Sequence, residues 1–461
     1  MLNFIDPSTR RSFLRVGSMA LGGLSLPQIL SAQSVQNQLG GSLKDKSVVF
    51  LFMHGGPSQF ETFDPKMGAP SEIRSATGEV KTSLPGVTFG GTLTKLAKQA
   101  HRCAIVRSFS TGDGNHDIKP IVGKESLGAN LGSLYARVAG MTRADSGMPT
   151  NVALLPNAVD PEAQPGEMSF GKFNDTGSLG PAYAPFMPGS SGDLQEDMAM
   201  HLSRGRLDDR RALLTQLDDL KRTLDVTGNG GFSRFQEQAF ETLIGGVSDA
   251  FDLTKEDPMT LARYDTRPIV HPDSIRKVWN NHKNYRDHGQ SLGHLMLLAR
   301  RLCERGCGFV TVTTNFVWDM HADVNNATMT EGMQYVGQPF DHAVSTFIDD
   351  VHERGLSDKI LLVACGEMGR TPKLNAKGGR DHWGKLAPLL LSGGGLEMGQ
   401  VIGDSTRDGG EANTDGVTTQ HLLATIMHTL FDVSELRLID HLPRDVARLL
   451  TGGEPIPRLF V

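Results

Sequence analysis

The stretch "PFDHAVSTFIDDVHERGLSDKILLVACGEMGRTP", Pro339–Pro372, decides the fold. Ala343, Phe347 and Val351 recur at i, i+4 and i+8, which puts them on one face of a helix, and Gly355 closes it. After a short loop comes "KILLVAC", Lys359–Cys365, an apolar run with no polar alternation. That is the pattern of a strand buried on both faces. Helix, short loop, buried strand is the rhythm of an α/β protein. Gly366-Glu367 follows the strand, and in open α/β sheets ligands bind outside the carboxyl ends of the strands.

The same rhythm recurs along the chain. "SVVFLFM" (Ser47–Met53), "CAIVRSF" (Cys103–Phe109), "FVTVTT" (Phe309–Thr314) and "APLLLSG" (Ala387–Gly393) read as further buried strands, and "LGHLMLLARRLCERG" as a helix ending at Gly306. The fold class expected is α/β, with a mostly parallel sheet between helix layers. Between about 200 and 260 the chain is charged and helical in pattern, with Leu213, Leu217, Leu220 and Leu224 on one stripe, which predicts a helical insertion. The Pro/Gly-rich stretch before it, 154–193, reads as a long ordered loop.

Bulk properties narrow the function. The 461 residues suffice for one large domain with insertions. Lys+Arg 46 against Asp+Glu 52 gives a net charge of −6, which argues against a nucleic-acid partner. Four cysteines are too few for a disulfide scaffold; Cys103 and Cys365 sit in strand-like runs, and Cys303 and Cys307 flank a helix end. The N-terminal "TRRSFLRVGSMALGGLSLPQILSA" resembles a twin-arginine export signal, with Arg10 and Arg11 followed by Phe13 and Leu14. Its weakly apolar run is shorter than a membrane span. Residues 1–32 are therefore read as a signal segment and 43–461 as the α/β domain. The expected location is periplasmic or extracellular, reached through the twin-arginine machinery. Contact with a membrane is expected only through the signal segment, if it stays uncleaved.

Five strand ends carry His, Asp or Glu. They are His54 before Gly55-Gly56, "TGDGNHD" with Asn115 and His116, "WDMHADVNN" with Asp319 and His321, Glu367, and Asp381-His382 before the last strand. Carboxylate and imidazole together suit zinc, manganese or iron. Each has a structural alternative. His54 could be a turn residue, Asp319 and His321 a helix cap, Glu367 the ion-pair partner of Arg370, and "GNHDIKPIVG" an ordinary helix start.

"HGGPSQFETFDPK", "GSLGPAYAPF", "WDMH", "GEMGRTP", "GGRDHWG" and "QHLLATIMHTLF" together resemble the domain-of-unknown-function family 1501, twin-arginine-exported proteins of the alkaline-phosphatase and sulfatase superfamily. The resemblance spans nearly the whole mature chain. It implies an alkaline-phosphatase-like fold with a metal site at the strand carboxyl ends, and Asp319, His321 and His382 match the superfamily's metal positions. His54 stands where the superfamily has Asp, and Glu367-Met368 where it has Asp-His. The nucleophile region reads "STGDGNHDIKPIVG", offering Thr111 or Ser110, with His116 better placed at the turn. The expected set is therefore His54, Asp319, His321, Glu367, Asp381 and His382 for a divalent metal, and His116 and Thr111 for catalysis. Arg370, Arg380 and Asn115 are expected to hold the substrate anion. The resemblance implies a hydrolase of phosphate or sulfate esters, small molecules or polysaccharides. The alternative is a noncatalytic exported binding or scaffold protein on the same fold.

Overall fold

A computed structural model describes residues 42–143, 146–189, 247–437 and 442–460. The segment expected to be a signal, 1–32, and most of the helical insertion expected at 200–260 lie outside the described residues. Seven strands form the central sheet: Ser47–Phe52 (β1), Ala104–Val106 (β2), Asn151–Leu154 (β3), Phe309–Thr313 (β4), Ile360–Cys365 (β5), Leu389–Gly393 (β6) and Gln400–Ile402 (β7). Their order is β7-β2-β6-β5-β1-β4-β3. β6 runs antiparallel to both β5 and β2, while the remaining pairs are parallel. The sheet is mostly parallel, as the unbroken apolar runs predict.

β1 explains those runs. Its side chains alternate across the sheet, and both sides are covered. Val49, Leu51 and Met53 enter one core with Leu292, Leu295 and Leu302, from the helix His282–Glu304 (α2), and Phe340 and Phe347, from Gln338–Glu353 (α3). Val48, Phe50 and Phe52 enter a second core with Leu134, from Leu131–Ala139 (α1), and Leu422 and Ile426, from Thr419–Leu430 (α4). Burying one such side chain contributes about 1.5–3 kcal/mol, so a polar residue anywhere along β1 would be costly. α2 ends where the sequence places it: Gly306 has φ 94, a left-handed conformation that only glycine adopts freely. Among the described residues no helix is long and apolar enough to cross a membrane.

Candidate functional site

Each chemistry-bearing segment leaves the sheet at the same edge. After β1 the chain turns through Gly55 (φ 113) and Gly56 (φ 82). A Cβ on Gly55 would lie 2.6 Å from the backbone nitrogen of Asp319, and the Trp318 N–H donates to the His54 carbonyl (3.1 Å). The glycine turn after β1 therefore sets where the segment after β4 runs. Asp319 and His321 are two residues apart across a tight turn in which the Met320 N–H donates to the Trp318 carbonyl (3.0 Å), and both point the same way: His321 Nε2 lies 2.9 Å from Asp319 Oδ1. The other oxygen, Oδ2, accepts from Asn326 Nδ2 (2.9 Å). Neither residue caps a helix; the cap of the next one is Thr328.

After β5, Gly369–Arg370 pairs with His382–Trp383 as a two-stranded antiparallel ribbon. The loop 111–116 packs on this ribbon: Cβ atoms on Gly114 or Gly384 would strike His382 or the Asp113 backbone. Lys119 Nζ clamps that loop through Asp113 and Asp117 (2.6 Å each) and the Asn115 carbonyl (3.2 Å). His116 is thereby set beside His382, ring centroids 4.1 Å apart.

The result is one cluster. Ligand atoms of His116, Asp319, His321 and His382 all lie within 4.8 Å of one another. His116 Nε2 and His382 Nε2 lie 3.6 Å and 3.5 Å from Asp319 Oδ1. His321 Nε2 and His382 Nε2 face each other at 2.8 Å. Burial pulls the Asp319 carboxyl up, but the Arg370 guanidinium, 2.6 Å away, and its histidine neighbours hold it far below the usual carboxylate range. Burial pushes His116 down to about 3, so it is neutral. Its Nδ1–H donates to Glu367 Oε1 (3.0 Å), which also accepts from the Gly55 N–H (2.9 Å). That bond leaves the Nε2 lone pair of His116 aimed into the cluster.

The remaining expected residues fall into three groups. Glu367 and Asp381 stand behind the cluster: Glu367 behind His116, and Asp381 Oδ1 3.2 Å from His321 Nδ1. Both were expected as ligands; in the structure each carboxylate meets the Nδ1 of a cluster histidine. His54 is buried beside Glu367 among Phe52, Phe173 and Phe316, and burial lowers its pKa. Among the described residues His54 Nε2 and Glu367 Oε2 have no hydrogen-bond partner. The expected anion holders are engaged elsewhere. Arg370 is fully buried and donates to the carbonyls of Gly55, Gly56 and Arg380 as well as to Asp319. Arg380 pairs with Glu61 (3.1 Å) and lies over the Phe60 ring (4.3 Å), so it braces the fold away from the cluster. Asn115 is exposed on the clamped loop. Ser110 Oγ donates to the Gly384 carbonyl (3.0 Å), and the buried Thr111 hydroxyl has no hydrogen-bond partner among the described residues. No helix starts at "GNHDIKPIVG"; the segment is irregular. Three contributors were assigned no role in the sequence: Asn326, and the rings of Phe170 and Phe316, which lie 5.1 Å and 4.7 Å from His116.

A family model described as "Protein of unknown function (DUF1501)" matches residues 45–459. The chain belongs to that family. No curated protein matches it. Among solved structures, this DUF1501 chain is similar to the sulfatase PsFucS1 of Pseudoalteromonas, at 12% identity over 94% of this chain and 78% of that one, with a TM-score of 0.38. It is also similar to the lipoteichoic acid synthase LtaP of Listeria monocytogenes, at 9% identity over 87% and 78%, TM-score 0.34. A third is the phosphonate monoester hydrolase of Silicibacter pomeroyi, at 10% identity over 89% and 78%, TM-score 0.34. Likenesses this distant carry no residue role or reaction across to the DUF1501 chain.

Its own donor set fits a divalent metal. Three imidazole nitrogens and one carboxylate oxygen converge at a spacing that bonds of about 2.0–2.2 Å to one ion would draw together. Two imidazole nitrogens at 2.8 Å repel unless a proton or a cation lies between them. The orienting bonds behind His116 and His321 are the carboxylate–histidine pairs that metal sites use. Met368 is buried against Gly56, and its thioether is a poor ligand for a hard cation.

Proposed function

We propose that this DUF1501 protein is an exported, metal-dependent hydrolase of phosphate or sulfate esters. The observation that carries the reading is the convergence of His116, Asp319, His321 and His382 at the carboxyl edge of the sheet. Those four residues would hold the ion, with zinc favoured by the imidazole-rich set and manganese or iron as alternatives. When bound, a divalent ion polarises an ester oxygen and lowers the pKa of water. The protein's own part is orientation. Glu367 fixes the tautomer of His116, Asp381 stands behind His321, and Asn326 turns Asp319 so that Oδ1 faces inward. Because the Thr111 hydroxyl bonds to no member of the cluster, water is the nucleophile this arrangement favours.

One observation favours the second reading, a noncatalytic exported binding protein. Arg370 is the guanidinium against the cluster, and it is buried and bound to three backbone carbonyls, so it offers an ester anion little. The test is direct. Purified wild type should hold about one equivalent of transition metal by mass spectrometry and hydrolyse members of a phospho- and sulfo-ester panel. His321→Ala should lose the metal while circular dichroism shows the fold intact. Equal metal in both proteins would remove the metal reading. Metal without turnover on any ester would leave the binding protein.

A further inference from the structure

Beside the metal cluster stands an aromatic wall. Phe170 and Phe316 stack with ring centroids 4.6 Å apart and 20° between their planes. Both rings touch His116, at 5.1 Å and 4.7 Å. Phe316 lies three residues after the end of β4, and its φ of 39 is left-handed, a conformation that a bulky side chain adopts only under constraint. Phe170 belongs to the long loop before residue 190, and a built anchor holds that loop in place. Asn315 Nδ2 donates to the carbonyls of Gln164 (3.1 Å) and Pro165 (2.8 Å), and Asn315 Oδ1 accepts from the Glu167 N–H (3.1 Å). Phe316 is nearly buried, at 9% exposure, whereas Phe170 is only half-buried. The partly open member of the stack is therefore the loop residue.

We propose that this wall, and Phe170 above all, is a subsite for a ring with an apolar face, aryl or pyranose, in the alcohol part of the ester. The proposal rests on the hydrolase reading. An ester whose phosphoryl or sulfuryl group sits at the cluster must place its alcohol part beside it, and His116 is one ring's breadth from Phe170. An aliphatic side chain would shield the cluster from water as well. What a parallel aromatic pair adds is a planar face, and planar faces stack on rings. An aryl group and the C–H face of a pyranose share that chemistry.

The test uses non-hydrolysable ligands and the protein as purified, so that turnover is not required. Dissociation constants for methylphosphonate, cyclohexylphosphonate and phenylphosphonate would be measured by calorimetry on wild type, Phe170→Ala and Phe170→Leu. Wild type should prefer a ring over methyl by about fivefold, the scale of one aromatic contact. Phe170→Ala should erase that preference, read as the ratio of ring to methyl affinity within the variant. A preference shared by both rings reads a saturated face, as on a sugar, and one confined to phenyl reads an aryl ester; either supports the subsite. Equal affinity for all three in wild type overturns the subsite while the cluster reading stands. So does a preference that survives Phe170→Ala. Failure of all three to bind overturns both. A purely structural Phe170 would lower stability in the variant without moving the ratio.

Discussion

At the scale of single residues, Glu367 shows how burial changes a role. Its position after β5 suggests a ligand, yet its Oε1 lies behind His116 and is shared with the Gly55 N–H. Burial raises its carboxyl to about 7, which suits a group that holds a neighbour more than one that must stay charged. Glu367→Ala should therefore weaken metal binding by roughly 10–100-fold without abolishing it, measured by competition with a chelator of known affinity. Loss as complete as in His321→Ala would make Glu367 a ligand. Gly55 tests the neighbouring constraint. With φ 113 and a would-be Cβ 2.6 Å from the Asp319 nitrogen, Gly55→Ala should cost about 2 kcal/mol or more in urea denaturation and lower the metal content, because the strain falls on the segment carrying Asp319. The chemistry of the strand ends was legible because buried apolar runs stop abruptly at His54, Asp319 and Glu367. The partners of the two arginines were not. Arg380 answers to Glu61 and Arg370 to the carbonyls of Gly55 and Gly56, contacts more than 300 positions apart along the chain that no local pattern encodes.

At the scale of elements, periodicity revealed the long pieces and missed two of the short ones. β1, β4 and β5 are five or six residues long, buried, and apolar or β-branched throughout their buried positions, with Ala364 and Cys365 the small ones, so they stand out. β3 and β7 have four and three residues; they gain their identity from the strand beside them, which sequence spacing does not show. The reversed direction of β6 was equally hidden, since a buried strand reads alike in either sense. α3 begins at Gln338, behind a π-helical turn, for a local reason. Pro339 has no N–H to give and crowds the carbonyl four residues back, and the turn before it, Met333–Gly337, widens into a π-helix. Asp341, two residues on, ties α3 to the short helix Leu96–Arg102 by accepting from the N–H groups of Lys95 (2.9 Å) and Leu96 (2.7 Å). Burial pushes its carboxyl from about 3.8 up to about 6, while those N–H groups pull it down. The folded pKa exceeds the unfolded one, so this group's contribution is present below pH ~4 and is lost as pH rises to ~6. Asp341→Asn removes the titration and keeps an acceptor. Its stability relative to wild type should rise between pH 4 and pH 7 by about 2–3 kcal/mol, measured with chelator present in both samples. A pH-independent difference would mean that the carboxyl is not raised.

At the scale of the whole molecule, the site and the N-terminus bear on each other. His116, Asp319, His321 and His382 are brought within 4.8 Å only by the completed sheet, because β1, β4 and β5 must pair before the segments that follow them can meet. An unfolded chain presents no such cluster, so selective loading requires a folded protein. The four cysteines are free and buried, so the described fold does not depend on an oxidising compartment. A protein that folds and loads its metal before export, as proposed, would need a route that moves folded cargo, and the paired Arg10 and Arg11 followed by Phe13 and Leu14 resemble the signal for one. The Arg10→Lys/Arg11→Lys double variant should accumulate in the cytoplasm, folded and with the same metal content as wild type, while wild type is recovered from the exported fraction. Fractionation with immunoblotting reads the location and mass spectrometry the metal. Export of the double variant at the wild-type level would refute the twin-arginine route. A retained variant lacking metal that the exported wild type carries would instead place loading after export, and would remove metal loading as the reason for a folded-cargo route.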